Sequence, residues 1–251
     1  MSLELVLFDL DGTLADTLPD LCWAVNTVLA TRSGSHARVD EQLLRPVISD
    51  GSRAIVAAAL GHARRLDPRA WPTTISEDDI DSIRTGFLDL YQANIDRHTR
   101  LFQQTPELLE RLDAAGLRWG VVTNKLSRFA MPLINRLGLG ERCACVVGGD
   151  TAPHPKPHPA PLLHACRLAD AAPARSIYIG DAPGDVIAAH RAGMPAVVAQ
   201  WGYLPVEPEA RSWGAEHLAE TPLAVAELLL GHAPGSNADH GDGGDHATRQ
   251  R

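Results

Sequence analysis

Five short β-rich segments, at residues 5–9, 119–123, 144–147, 177–180 and 196–199, alternate with stretches of helical periodicity. Strands separated by helices do not join as hairpins, so the alternation predicts an α/β fold: a Rossmann-like, doubly wound parallel sheet covered by helices. The intervening helices carry their own punctuation. Pro106 suits a first helical turn and Gly116 follows the last one, while residues 126–137 are closed by Gly138. Within that second helix Ala130, Leu133, Ile134 and Leu137 recur at three and four residues, an apolar stripe that would pack on the sheet.

The first strand lacks a prompt neighbour. Helical patterns follow it at 18–30, 53–60 and 76–95, the last marked by Ile80, Ile83, Phe87, Leu90 and Tyr91 and opened by a capping-box pair, Ser76 and Asp79. The spacer 62–74, rich in Arg and Pro, reads as a loop. An inserted α-helical cap domain over 15–96 is expected, with the catalytic core in 1–14 and 97–231. Residues 232–251 hold no aromatic and no aliphatic larger than Ala, so they read as a disordered tail without a function.

Composition narrows the partners. With 23 Lys+Arg against 31 Asp+Glu the formal charge is −8, which argues against nucleic acid and anionic membranes and favours a small diffusible substrate. Apolar runs fall far short of the ~18–20 residues that cross a bilayer. Glu4 and Asp9 stand where an export signal would be basic and then apolar, so a cytoplasmic location is expected. Cys143 and Cys145 are separated by one residue, and Cys22 and Cys166 stand alone, a spacing that predicts reduced, mostly buried thiols.

The chemistry concentrates at strand ends. Phe8-Asp9-Leu10-Asp11-Gly12-Thr13-Leu14 places two carboxylates where ligand crevices lie in open α/β sheets, with a glycine that permits close backbone approach to an anion. Thr123-Asn124-Lys125 follows the second segment and offers a hydroxyl and backbone N–H groups to a phosphoryl oxygen. Lys156 lies between two prolines, where an ammonium could neutralise spreading negative charge. Asp181 and Asp185 follow the 177–180 strand. Four converging carboxylates, Asp9, Asp11, Asp181 and Asp185, would repel one another without a hard divalent cation, and an oxygen-only ligand set selects Mg²⁺ over Zn²⁺. Each residue taken alone could instead end a strand or cap a helix.

In that order the motifs resemble the haloacid dehalogenase superfamily of phosphotransferases: Asp9-x-Asp11-Gly12-Thr13, Thr123, Lys156-Pro157, then Gly180-Asp181 with Asp185. The helical insertion, Asp16-Thr17 and the stretch 47–53 are similar to the phosphoglycolate phosphatase group. Residues 119–125 and Trp201-Gly202-Tyr203 look closer still to N-acetylmuramic acid 6-phosphate phosphatases. The resemblance implies a phosphomonoesterase in which Asp9 is the nucleophile and Asp11 the general acid and base. It implies Mg²⁺ on a carboxylate oxygen of Asp9, the carbonyl of Asp11 and the carboxylate of Asp181, with Asp185 acting behind them. Thr123, Lys156 and the Asn124 amide would hold the phosphoryl oxygens. Arg53 in the cap would touch the substrate's carboxylate or sugar, a solvated helix-start arginine being the alternative. Two other readings stay open: a phosphosugar mutase, against which Thr13 counts, and a non-catalytic phosphate-binding regulator, against which Asp11 and the long insertion count. Asp11 also argues against a dehalogenase, whose halide needs no proton.

Overall fold

In the computed structural model, residues 2–34, 37–72, 74–206 and 208–231 are described, so the expected tail 232–251 lies outside the described residues. The apolar run Leu5–Phe8 forms β1, buried along its whole length. A strand buried on both faces reads as continuous hydrophobic sequence, and β1 is central. It pairs in parallel with β4 (Arg118–Val122) on one side and β6 (Ser176–Gly180) on the other. Beyond these lie β5 (Val146–Val147), β7 (Ala196–Ala199) and β8 (His217–Ala219), giving the order β5-β4-β1-β6-β7-β8. The sixth strand, β8, lacks a long apolar run and was not among the expected five.

Alternation along β1 divides the core. Val6 and Phe8 pack with Leu108, Leu109 and Leu112 of α5 (Thr105–Ala114), Leu133 of α6 (Ser127–Arg136) and Val225 of α9 (Pro222–Leu230). Leu5 and Leu7 pack on the other face with Leu162 of α7 (Ala160–Leu168) and Val186 and Ala189 of α8 (Pro183–Ala192). The expected punctuation holds on this scaffold: Pro106 sits in the first turn of α5, and Gly116 follows it with φ +67°.

Between β1 and β4 the chain is helical, as the periodicity predicts. A short antiparallel pair, β2 (Ala15–Asp16) with β3 (Arg100–Leu101), brackets α1 (Leu18–Ser33), α2 (Glu41–Leu44), α3 (Ser52–Leu66) and α4 (Glu77–Ala93). The spacer expected at 62–74 begins later than predicted. Helix α3 continues to Leu66 because Ala63 extends the buried stripe of Ile55, Val56, Ala59 and Leu60 by another turn. Ser76 and Asp79 form the predicted reciprocal cap of α4: Ser76 Oγ accepts from the Asp79 N–H, and Asp79 Oδ2 accepts from the Ser76 N–H. The helical layer is tied back to the core where buried Asp20 accepts hydrogen bonds from the N–H groups of His98 and Thr99. No helix among the described residues is long and apolar enough to cross a membrane. All four cysteines are unpaired, and Cys22, Cys145 and Cys166 are buried.

Candidate active site

The carboxyl ends of β1, β4 and β6 are adjacent, and they deliver Asp9, Thr123 and Asp181 to one place. There a cavity of about 520 Å³ opens between the sheet and the helical layer. Asp9, Asp11, Thr123, Lys156 and Asp185 line its floor, and Ile48 to Ser52, Ile55, Phe87 and Tyr91 line the opposite wall.

Asp9, Asp181 and Asp185 are buried, and one carboxylate oxygen from each lies within 4.8 Å of the other two. Burial pushes the Asp9 carboxyl up to about 6; the Lys156 ammonium opposes this, while Asp185 and Asp11 reinforce it. Burial likewise pushes Asp181 well above the usual carboxylate range, with Asp9 and Asp185 adding to the effect. The single Lys156 ammonium leaves three carboxylates under-neutralised, and their donors are all hard oxygens, so the cluster fits a divalent cation of the Mg²⁺ type.

Each member is held by specific bonds. Asp181 Oδ1 accepts from Thr13 Oγ1 at 2.9 Å, and Oδ2 accepts from the Tyr203 N–H at 2.6 Å. Gly12, at φ +82°, lies so close that a β-carbon there would sit 2.1 Å from Asp181 Oδ2. Asp185 Oδ2 accepts from the Ala182 N–H, capping α8, while Oδ1 accepts from Lys156 Nζ at 2.7 Å. Its helix-capping and site roles therefore coexist. Lys156 Nζ also lies 3.0 Å from Asp9 Oδ1 and donates to the Tyr178 hydroxyl at 2.7 Å. Burial works against its charge, but Asp185 and Asp9 outweigh that and hold its pKa above the ordinary lysine value.

Three expected site residues sit differently from a uniform cluster. The Asp11 carboxylate is not in the group formed by Asp9, Asp181 and Asp185, because its Oδ1 is bonded to Thr17 Oγ1 at 2.5 Å and Lys125 Nζ at 2.7 Å. The carboxylates that meet are therefore three rather than the expected four. The Asn124 side chain is occupied by the Lys156 main chain, which leaves its N–H for an anion. Arg53 is not brought to the cavity at all. It follows Ser52 in the first turn of α3 and is ion-paired with Glu77 and Asp81, two carboxylates one turn apart on α4.

Lys125, Tyr178 and Tyr203 also belong to the site, although the sequence pattern assigns them no side-chain role. The Tyr178 hydroxyl bridges Lys156 to the Val122 carbonyl, and the Tyr203 hydroxyl accepts from the N–H groups of Thr17 and Leu18. Lys125 belongs to the Thr123-Asn124-Lys125 run and Tyr203 to Trp201-Gly202-Tyr203, whereas Tyr178 carries no signal beyond its place in a strand.

Residues 6–199 match the haloacid dehalogenase-like hydrolase family. The chain belongs to that family. A phosphoglycolate phosphatase of Xanthomonas campestris pv. campestris (strain 8004) is 41% identical over 222 residues, 88% of this chain and 94% of that one. An N-acetylmuramic acid 6-phosphate phosphatase of Pseudomonas putida is 38% identical over 229 residues, 91% of this chain and 97% of that one. Among solved structures, one described as a predicted phosphoglycolate phosphatase from Haemophilus somnus 129pt superimposes with a TM-score of 0.78 at 29% identity, covering 91% of this chain and 97% of that one. Such relatives are hydrolases of phosphoric monoesters, and this family member is an enzyme of the same hydrolase class.

Proposed function

We propose that this hydrolase is a Mg²⁺-dependent phosphomonoesterase that works through an aspartyl-phosphate on Asp9. The observation that carries the reading is the meeting of buried Asp9, Asp181 and Asp185 with Lys156, at a cavity that Asp9, Lys156, Asp185 and Thr123 line. Asp9 attacks phosphorus, the bond to the leaving oxygen breaks, and water then hydrolyses the acyl phosphate to regenerate Asp9. Asp11 gives its proton to the leaving alkoxide and takes one back from that water, since the second half reverses the demand of the first. Lys156, the Thr123 hydroxyl and the Asn124 N–H hold the phosphoryl oxygens. Asp9, Asp181 and the Asp11 carbonyl would hold Mg²⁺, with Asp185 behind them on Lys156. The ion supplies positive charge that offsets repulsion between the carboxylates and the phosphate.

Residues 15–96 act as the cap over a core formed by 1–14 and 97–231, and the cap wall selects the leaving group. That wall sets Ile48, Ile55, Phe87 and Leu88 beside the polar run Ser49 to Ser52. A cavity of about 520 Å³ suits a ligand the size of a sugar phosphate, whereas a two-carbon glycolate would leave most of it empty. We therefore favour a phosphorylated amino sugar like that of the Pseudomonas relatives over 2-phosphoglycolate. Unpaired, largely buried cysteines accord with a cytoplasmic setting.

Phosphate release from N-acetylmuramic acid 6-phosphate, 2-phosphoglycolate and hexose phosphates, each with Mg²⁺ or with chelator, tests both parts. Release that requires Mg²⁺ is expected, with the highest kcat/KM on the amino sugar. A higher value on 2-phosphoglycolate overturns the substrate assignment. Binding without release on every substrate favours a non-catalytic regulator, and isomerisation without release favours a mutase.

A further inference from the structure

Lys125 is unused in the reading above, yet it lines the same cavity as Asp9 and Asp11. Its side chain is 7% exposed, and Nζ donates to Asp11 Oδ1 at 2.7 Å. The same oxygen accepts from Thr17 Oγ1 at 2.5 Å, and among the described residues Asp11 Oδ2 takes no hydrogen bond. Nζ also lies 4.8 Å from the centre of the Tyr91 ring, which belongs to α4 and packs against Phe129 of α6 at 5.7 Å. Lys125 therefore sits between an aromatic wall of the helical layer and the carboxylate that follows β1.

A buried ammonium is costly unless paired. Burial works against the Lys125 charge, but Asp11 and Tyr91 together outweigh this and hold its pKa above the ordinary lysine value. The geometry matters for Asp11 as well. Proton transfer requires an oxygen held within hydrogen-bond reach of the leaving atom, and an unrestrained carboxylate samples several rotamers. Two donors on one oxygen fix the plane of the group and leave the second oxygen available.

We propose that Lys125 is a positioning residue for Asp11: its ammonium, seated against the Tyr91 ring, anchors Oδ1 so that Oδ2 is held for proton transfer to the leaving alkoxide. The proposal rests on the reading of Asp11 as general acid and base. In the first half the Oδ2–H proton passes to the leaving oxygen as its bond to phosphorus breaks. In the second half Asp11 recovers a proton from the attacking water. Lys125 keeps its own protons throughout, so its contribution is to orientation.

The test uses two model substrates with Mg²⁺: p-nitrophenyl phosphate, whose leaving group departs without a proton, and benzyl phosphate, whose alkoxide needs one. Lys125→Met should lower kcat/KM, which reports the steps through departure of the leaving group and not the shared hydrolysis of the aspartyl-phosphate, about tenfold more on benzyl phosphate than on p-nitrophenyl phosphate. Asp11→Asn should show the same selectivity more strongly. If Asp11→Asn is selective and Lys125→Met is not, through equal losses or none, the positioning role is overturned and the acid role stands. Equal losses in Asp11→Asn overturn both. Should circular dichroism show that Lys125→Met is unfolded, the same comparison is read in Lys125→Gln.

Discussion

Asn124 grips the main chain of Lys156 with both ends of its amide: Nδ2 donates to the Lys156 carbonyl and Oδ1 accepts from the Lys156 N–H, each at 2.9 Å. The two residues come from loops after different sheet elements, and this pair aligns them. Lys156 can then reach Asp9 and Asp185 from a fixed base. Asn124→Ala should cut kcat/KM for any phosphate ester by about tenfold to a hundredfold, because the Lys156 ammonium, which we propose holds the phosphate, loses its anchorage. Leaving-group selectivity should be unchanged, since no acid or base is touched. Steady-state kinetics on aryl and alkyl phosphates check this, and a loss confined to alkyl esters would count against it.

The raised Asp9 carboxyl carries a pH signature in the metal-free protein. Its folded value, about 6, lies above the ordinary 3.8, so the folded state binds that proton more tightly than the unfolded chain. The contribution favours folding below about pH 4 and is lost as pH rises through about 6. In chelator, Asp9→Asn should therefore match wild type in stability near pH 4 and exceed it by about 1–3 kcal/mol at pH 7. Saturating Mg²⁺ should reverse the order at pH 7, because the amide is a poorer ligand. Urea denaturation at both pH values, with and without the ion, measures all four cases.

Tyr203 serves two masters through different atoms. Its hydroxyl accepts from the N–H groups of Thr17 and Leu18 at 2.7 and 2.9 Å and donates to Asp16 at 2.6 Å, while its backbone N–H donates to Asp181. Tyr203→Phe leaves the start of α1 without a buried acceptor and should cost about 1–3 kcal/mol of stability. The concentration of Mg²⁺ for half-maximal activity should barely move, since the bond to Asp181 comes from the main chain. A large rise in that concentration with unchanged stability would contradict the division.

Gly202 is held against the other side of the same carboxylate. A β-carbon there would lie 2.3 Å from Asp181 Cβ and 2.4 Å from the Gly12 carbonyl oxygen, both rigid neighbours. Gly202→Ala should displace Asp181 and raise the Mg²⁺ requirement by about tenfold or more, with a stability loss of about 1–3 kcal/mol from overpacking. Calorimetric titration of Mg²⁺ into the purified variant reads the shift directly, and an unaltered affinity would show that the segment yields easily.

What was legible in the chain was whatever depends on neighbours a few residues away. The buried run before Asp9 makes a strand, and a strand end exposes the carboxylate that follows it. Ser76 and Asp79 cap α4 through bonds three residues apart, and the three- and four-residue recurrence of Ala130, Leu133 and Ile134 buries one side of α6. Strand ends in a parallel sheet share one edge, so Asp9, Thr123 and Asp181 could be expected together before their distances were known.

Tertiary structure decided which of those side chains face one another. The order β5-β4-β1-β6-β7-β8 sets Lys125 beside Asp11 across 114 residues of chain and separates that carboxylate from Asp9, Asp181 and Asp185. It turns Arg53 toward Glu77 and Asp81 because α3 packs on α4, and no local pattern encodes the rotation of one helix against another. Periodicity specifies which face of an element is buried. Which oxygen meets which ammonium follows from the angles and offsets at which those faces pack, and these are properties of the whole core.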